Sequence, residues 1–466
     1  MLKEGEPLTF HFPSKVYTSV RGTRTLYYSP DRGVCVAVNE AGRDILEACR
    51  SAGTLTEIAC CLTSGRKSFV PLIEDLIRPF LSKMKRTRFL SDGKTPENGD
   101  NNSVSQPAPI KFTTLYLHVT DTCNLRCIYC YNQTQRSQKK ISVADGSDAP
   151  LTSAQIHGLL DESARLKGKE IVFTGGEPLF RKDLCELAAY AKAKGLSTSL
   201  LTNGTLIDRG MAAKIAGSFD SVVVSFDSWV KKEYETLRPG APFENAVQGI
   251  RNLVTAKVAA VFIRPVITTL NLGSLPEFPR FAAEHLGCLD FLPAAYLPNH
   301  AEDLETMRLL PDPEEYWATL HRFYANIKKL GGRAVSESIP LEAAGSCGAG
   351  GSVLSIAPNG DVYPCQCLHF DGFIAGNFKE QSLAEIIDGS QVLASFREQS
   401  WPWFAPCSEC ALMSICASTC RVFPRVFREN EELFFERMCP FFKKEIENRL
   451  WEEAEKQDAV KKLTPI

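Results

Sequence analysis

Ten of the 17 cysteines in this 466-residue chain fall into two arrays of fixed spacing, and no other feature of the sequence constrains the fold as tightly. A chain this long can bury several hydrophobic cores, at roughly 100–200 residues per domain, so it has no need of disulfide staples. So many cysteines need a chemical reason. The N-terminus, Met-Leu-Lys-Glu-Gly-Glu-Pro, lacks the basic start, apolar core and small-residue cleavage site of a secretory signal. No stretch approaches the ~20 consecutive apolar residues of a membrane-spanning helix. These features predict a cytoplasmic protein with no membrane partner, in a reducing compartment where clustered cysteines hold metal. With 53 basic against 55 acidic side chains, the formal net charge of −2 argues against nucleic acid as the main partner.

Residues 91–110, SDGKTPENGDNNSVSQPAPI, have no aromatic residue and abundant Pro, Gly, Ser, Asn and Asp, the composition of a flexible linker. It divides the chain into two separately folded parts. Ahead of it, residues 1–90 read as three strands (Leu8 to Phe12, Thr25 to Tyr28, Val34 to Val38) and three helices (Glu40 to Arg50 behind an Asn39 cap, Leu55 to Leu62, Phe69 to Lys83). That pattern predicts a small winged-helix α+β domain. Beyond the linker, strand candidates at Leu115–Val119, Ile171–Thr174, Thr198–Thr202, Val222–Phe226, Val261–Ile267 and Leu289–Pro293 alternate with helical segments. The alternation predicts an α/β fold, a partial (β/α)6 TIM-type barrel over 111–311, whose reactive groups gather at the carboxyl ends of the strands. A bridging helical segment (312–346), a loop-rich cysteine-dense domain (347–445) and a C-terminal helix and tail (446–466) complete the expected order.

The first array directly follows the first barrel strand. Cys123, Cys127 and Cys130 are separated by three and then two residues, so their thiolates can wrap one cubane and leave one iron without a protein ligand. The competing arrangement is a zinc site completed by histidine, and the nearest histidines, His118 and His157, lie outside the loop.

Three cysteines at these spacings, with Tyr129 before the third, resemble the signature of the radical S-adenosylmethionine (radical SAM) enzymes. The resemblance extends along the barrel. Gly175, Gly176, Glu177 and Pro178 resemble the family's GGEP loop, and Thr202, Asn203 and Gly204 its TNG turn; Ser225 and Asp227 resemble the polar strand end near the ribose, and Arg238 falls where members carry an arginine near the cofactor. The resemblance implies a [4Fe-4S] cluster on Cys123, Cys127 and Cys130 whose open iron binds S-adenosylmethionine. It also implies reductive release of a 5′-deoxyadenosyl radical, an external donor such as flavodoxin or ferredoxin, and oxygen sensitivity. The loop glycines then permit close backbone approach to the ligand, and the Glu177 carboxylate and backbone carbonyls take the methionine ammonium.

In the second array Cys347 is followed after twelve residues by Gly360 and after four more by Cys365; then come Cys407-x2-Cys410-x5-Cys416-x3-Cys420 and a last Cys439. The order resembles the SPASM extension of the same family and fits a zinc ribbon, with its two close pairs, poorly. The resemblance implies two auxiliary [4Fe-4S] clusters, one on Cys407, Cys410, Cys416 and Cys439 and one on Cys347, Cys365 and Cys420. Members often supply an eighth cysteine just upstream, and Asp312 to Ser346 contains none. The fourth position is therefore Cys367, an oxygen ligand, or an open iron for a substrate thiolate, the last being preferred. Cys35, Cys49, Cys60, Cys61, Cys185 and Cys288 follow no ligand spacing and default to packing.

Residues 1–88 carry 14 Lys and Arg against 9 Asp and Glu, and the helix pattern around NEAGRDILEACRSAGTLTEIACCL resembles PqqD-like peptide-recognition domains. This implies that residues 1–90 bind the leader of a ribosomally made precursor peptide, as a strand added beside Val34–Val38 and against Phe69–Lys83. Together the resemblances imply a peptide maturase of sactipeptide or ranthipeptide type forming Cys thioether crosslinks. Carbon–carbon crosslinking, sulfatase-maturase-like oxidation of a protein Cys or Ser, and a non-catalytic binder are the alternatives.

Overall fold

The structure, a computed structural model, describes residues 9–92, 112–132, 149–296, 307–334, 347–397, 404–416 and 430–462, together with Cys420, Val422 and Phe427. Near the N-terminus, β1 (Tyr17–Arg21), β2 (Arg24–Ser29) and β3 (Val34–Val38) form an antiparallel sheet in that order. Three helices follow: α1 (Glu40–Ala48), capped by the Asn39 side chain on the Gly42 N–H at 2.9 Å; α2 (Leu55–Leu62), opened by a Thr54/Glu57 capping box; and α3 (Val70–Arg86). Side chains alternate across a pleated strand, and the sheet uses both faces. Tyr27, Val36 and Val38 pack on Leu46, Ile58 and Leu81 of the helices. Leu26, Tyr28 and Cys35 instead meet Leu412, Ile415, Ile446, Leu450 and Trp451 near the C-terminus.

That second face departs from the two separate units expected of a linker-joined chain. Ser19 Oγ donates to Glu447 Oε1 at 2.6 Å, Trp451 Nε1 donates to Ser19 Oγ at 3.2 Å, and the Arg21 guanidinium lies 5.2 Å from the Trp451 ring. The N-terminal unit is thus docked. The strand expected at Leu8–Phe12 is reduced to two isolated bridges, Thr9 with Thr54 and His11 with Ser91, while β1 went unread because its alternating exposure leaves few apolar residues to signal it. Ser91 and Asp92 belong to the folded unit, and the remainder of the expected linker lies outside the described residues.

One ten-stranded sheet carries the rest. Six parallel strands run in spatial sequence: β4 (Thr114–His118), β5 (Glu170–Thr174), β6 (Ser197–Thr202), β7 (Ser221–Ser225), β8 (Val261–Arg264) and β10 (Asp290–Phe291). Their near-continuous Val, Ile, Leu and Phe reflect burial on both faces, with Leu115, Leu117, Ile171, Phe173, Leu200, Val222, Val224 and Ile263 in one core. This is the (β/α)6 partial barrel. The two last expected strands are each broken by a proline, at Pro265 and Pro293, and β9 (Val266–Ile267) pairs with β11 (Ala294–Ala295) beyond the breaks. The bridging helix runs Pro313–Lys329 behind an Asp312 cap and ends at β12 (Arg333–Ala334), on the outer edge of the sheet.

The opposite edge joins the two cysteine arrays. β13 (Val353–Ile356) pairs in parallel with β4, Leu354 opposite Leu115 and Ile356 opposite Leu117, and carries β14 (Asp361–Tyr363) and β15 (Gly376–Asn377) as an antiparallel continuation. The C-terminal helix starts at Cys439, seven residues before the expected boundary, and runs to Lys462. Among the described residues no helix is long and apolar enough to cross a membrane.

Candidate active site

At the carboxyl end of β4 the loop holding the first three cysteines is pinned by backbone on two sides. The Gly176 N–H donates to the Thr120 carbonyl at 2.7 Å and the Glu177 N–H to Thr122 at 2.8 Å; from the other side Arg126 N–H reaches Pro239 O and Ile128 N–H reaches Leu237 O, both at 3.0 Å. These contacts explain the glycine pair. A Cβ on Gly175, at φ +137°, would stand 2.3 Å from the Thr120 carbonyl oxygen, and one on Gly176 equally close to that of Thr122. The glycines let two loops touch, where the sequence reading had them approach a ligand.

Glu177 and Pro178 also differ from expectation. The Glu177 carboxylate is fully buried beneath the cavity, accepting from Thr202 Oγ1 and the Asn203 N–H at 2.8 Å each and from the Leu179 N–H at 3.2 Å. Burial raises its pKa to about 7 against those donors. It holds the Thr202–Gly204 turn to the glycine loop, and Pro178 is packed in the short turn behind it. Asn203 closes the ring: its Nδ2 donates to Asn124 Oδ1 at 2.9 Å, and its Oδ1 accepts from Thr205.

Behind the cysteines Asp227 and Arg238 form a buried ion pair with each other. Arg238 Nε donates to Asp227 Oδ2 at 2.6 Å and Nη2 to Oδ1 at 3.2 Å, with both side chains almost wholly enclosed. Tyr129 OH donates to the same carboxylate, and the Val266 N–H supplies a further donor at 3.0 Å. Burial alone would lower the Arg238 pKa, but Asp227 and the neighbouring acidic groups hold it well above its ordinary range. Its free Nη1 donates to Cys127 Sγ at 3.6 Å, so a fixed positive charge backs one thiol of the loop. Burial nonetheless pushes that thiol up to about 11.

A cavity of about 390 Å³ opens in front of this frame. Cys123, Cys127, Tyr129 and Cys130 line it with Gly175, Gly176, Thr202, Asn203, Ser225 and Arg238; Glu177, Pro178 and Asp227 lie behind its wall. Sequence reasoning missed Tyr131, Asn132, Arg264 and Tyr296, which also line it. Their nearest signal was adjacency to Cys130 or to a strand end. Asn132 donates from Nδ2 to the Gly175 carbonyl at 3.0 Å, while its buried Oδ1 has no hydrogen-bond partner among the described residues. An orphaned acceptor beside three thiols fits a ligand that brings an ammonium group.

The far wall belongs to the second array, for Gln366, Cys367, Cys420 and Val422 line the same cavity. Cys347, Cys365, Cys367 and Cys420 pack on one small apolar knot of Ala349, Leu368, Phe396 and Val422. Cys410 and Cys416 pack against the seam with the N-terminal unit. Among the described residues no three His, Cys, Asp or Glu side chains converge on a single ion, the geometry of a mononuclear site; cubane ligands occupy separate corners. Of the unassigned cysteines, Cys35, Cys49 and Cys288 are buried as packing predicts, whereas Cys61 is exposed. His118, at the end of β4, is buried and held neutral by desolvation, its ring 4.3 Å from His369, which stacks in turn on Tyr363. A second cavity, about 560 Å³, lies between the bridging and C-terminal helices and shares Ala294, Ala295 and Cys420 with the first. It is the larger, but the first three cysteines line the smaller.

Family comparison agrees with this geometry. Residues 117–282 match the radical SAM superfamily and residues 347–411 the SPASM iron–sulfur cluster-binding domain. This chain is a radical SAM enzyme with a SPASM extension. S-adenosylmethionine and several iron–sulfur clusters are accordingly its cofactors. The mycofactocin maturase MftC of Mycobacterium tuberculosis is 28% identical over 335 residues, covering 67% of this chain and 78% of the relative; the PqqA peptide cyclase of Xanthomonas euvesicatoria is 26% identical over 318 residues, covering 63% and 78%. The solved structure of Streptococcus suis SuiB bound to its precursor peptide SuiA superposes with a TM-score of 0.56 at 16% identity, over 89% of this chain and 96% of SuiB, which shows a shared fold.

Proposed function

We propose that this radical SAM enzyme matures a ribosomally made precursor peptide by forming a crosslink within it, in the reducing cytoplasm. The observation that carries the reading is the single chamber lined from one side by Cys123, Cys127 and Cys130 and from the other by Cys367 and Cys420. A radical source and an electron acceptor serving one peptide need to face each other in this way. The relatives named as a mycofactocin maturase and a PqqA peptide cyclase support the substrate class.

In this reading Cys123, Cys127 and Cys130 hold the first [4Fe-4S] cluster, and Cys407, Cys410, Cys416 and Cys439 hold one of two auxiliary clusters. Cys347, Cys365 and Cys420 belong to the other. When S-adenosylmethionine is bound and reduced by an external flavodoxin or ferredoxin, it supplies a 5′-deoxyadenosyl radical. The Asn132 Oδ1 and the Gly175–Gly176 backbone receive its ammonium, Tyr129, Asn203, Ser225 and Arg238 line its remaining surface, and the Asp227 and Glu177 networks keep these groups in place. The preferred outcome is a Cys thioether, for which the bound cofactor would take up a peptide C–H hydrogen atom, the substrate S–H would give up a proton as carbon and sulfur bond, and the auxiliary cluster would supply a one-electron acceptor. Carbon–carbon closure has the same two-electron balance and is the alternative.

The leader is assigned to residues 1–90. Among the described residues β3 has β2 as its only strand partner, and Phe69, Leu72 and Leu76 at the start of α3 are 51–65% exposed. A strand edge without a strand partner and an uncovered apolar stripe on the same unit are features that suit strand addition by a peptide. Asn448 lines the adjoining 560 Å³ cavity and accepts from Arg21 of β1, so a route toward the chamber begins at this unit. Incubating the reduced, reconstituted enzyme with S-adenosylmethionine and candidate precursors tests the reading. A peptide lighter by two hydrogens, formed alongside 5′-deoxyadenosine and lost when residues 1–90 are deleted, is expected. Equal turnover without those residues on a short side-chain substrate would favour sulfatase-maturase-like oxidation.

A further inference from the structure

We infer that Cys367 is the fourth thiolate of the auxiliary centre built on Cys347, Cys365 and Cys420, so that this centre presents a filled corner to the chamber and offers no iron to a substrate sulfur. The inference deepens the reading above and rests on its cluster assignments. It departs from the open position that the cysteine spacing alone favoured.

Three observations lead to it. Cys365 and Cys367 occupy the first and third positions of a tight turn after β14, closed by the Leu368 N–H on the Cys365 carbonyl at 3.1 Å, and their thiols are hydrogen-bonded to each other. Both pack with Cys347 and Cys420 on the same apolar knot. The other cysteines outside the ligand arrays lie elsewhere: Cys60 and Cys61 on α2, Cys185 on the helix Leu184–Ala193, and Cys35, Cys49 and Cys288 in separate cores. The nearest histidine is committed too, with His369 Nε2 2.7 Å from Ser355 Oγ and its ring stacked on Tyr363.

Orientation gives the consequence. Cys367 and Cys420 line the chamber, whereas Cys347 and Cys365 do not. The corners that face the reacting peptide are therefore those held by Cys367 and Cys420. A centre with four protein thiolates can accept an electron across its sulfur shell, but a substrate thiolate could coordinate it only by displacing Cys367. Carbon–carbon closure, or sulfur attack by an uncoordinated thiolate, follows more directly than capture of the substrate sulfur on iron.

The test compares anaerobically reconstituted wild type with Cys367→Ala, Cys367→Ser and, as a control, Cys185→Ala. Iron per chain and the electron paramagnetic resonance spectrum of the reduced protein are measured before and after adding excess N-acetylcysteine. The wild-type and Cys185→Ala auxiliary signals are expected to ignore the added thiol. Cys367→Ala is expected either to lose about four iron atoms per chain or to keep them with a new signal that N-acetylcysteine shifts. Cys367→Ser, which keeps a ligand of similar size should the alanine variant fold poorly, is expected to retain iron with an altered auxiliary signal. A wild-type auxiliary signal that moves with N-acetylcysteine, or substituted proteins with wild-type iron and spectra, would overturn the inference. None of these readouts needs a peptide or turnover, so they separate failure here from failure of the maturase reading.

Discussion

The two cysteine regions are organised by opposite means. The first lies within eight residues and is set by the polypeptide before any metal arrives: four backbone hydrogen bonds, a glycine pair against which no side chain would fit, and a buried Arg238–Asp227–Tyr129 group fix its loop to three strand ends. The second spreads from Cys347 to Cys439 over short turns and one-turn helices, and its apolar knot has four buried residues. Regular structure positions the first, and metal must do much of that work for the second. The difference suits their tasks, since a site that binds and releases a cofactor needs a rigid frame, whereas a resident cluster can be part of the fold itself.

Removing ligands should divide the regions most sharply. Alanine at Cys123, Cys127 or Cys130 is expected to reduce S-adenosylmethionine cleavage by about 10³-fold or more while leaving the thermal midpoint close to wild type. Alanine at Cys407 or Cys439 is expected to lower cleavage, iron content and midpoint together, because a lost structural cluster takes folding free energy with it. Iron analysis beside calorimetry checks this, and equal loss of midpoint in both sets would break the comparison.

If the first frame is independent of metal, its energetics should be visible in iron-free protein. Arg238→Met leaves the Asp227 carboxylate buried without its counter-ion and is expected to destabilise the barrel by about 3–5 kcal/mol in urea unfolding of the apoprotein. A change below about 1 kcal/mol would mean that the frame, too, waits for its cluster. Glu177 offers a pH test of the same frame. Its folded pKa of about 7 lies above the ordinary carboxyl value, so its contribution is fully present below about pH 4.5 and is lost as pH rises through 7, on the order of 3 kcal/mol in all. Unfolding of wild type and Glu177→Gln at pH 5 and pH 8 should show that slope only in the wild type. The smallest expected effect touches neither region. Leu76→Lys on α3 should weaken binding of a leader peptide by about tenfold in titration calorimetry, with peptide-independent cofactor cleavage unchanged.

Much of this was legible in the chain. The strands β4 to β7 could be placed within a residue because parallel strands buried on both faces advertise themselves as unbroken runs such as Ile171–Thr174. The cysteines signalled chemistry because their spacing had no structural use. Less legible were contacts that depend on where distant segments meet. Nothing in Glu177 itself reveals that it turns inward to Thr202 and Asn203, or that Asp227 answers Arg238 and Tyr129 from beneath the cavity wall. Asn132 carries no pattern at all, and its role rests on one unpaired oxygen. The docking of the N-terminal sheet was hidden because Leu26 and Tyr28 on β2 and Cys35 on β3 form one face of a sheet with no indication in the sequence of what would cover it.

The parallel pairing of β13 with β4 has a further consequence. The strand that leads into Cys123 and the one that leads toward Cys365 are locked residue against residue. The spacing between the loop that begins at Cys123 and the turn that begins at Cys365 is therefore anchored in backbone register, and a slip of one residue between these two strands would move one cysteine array relative to the other.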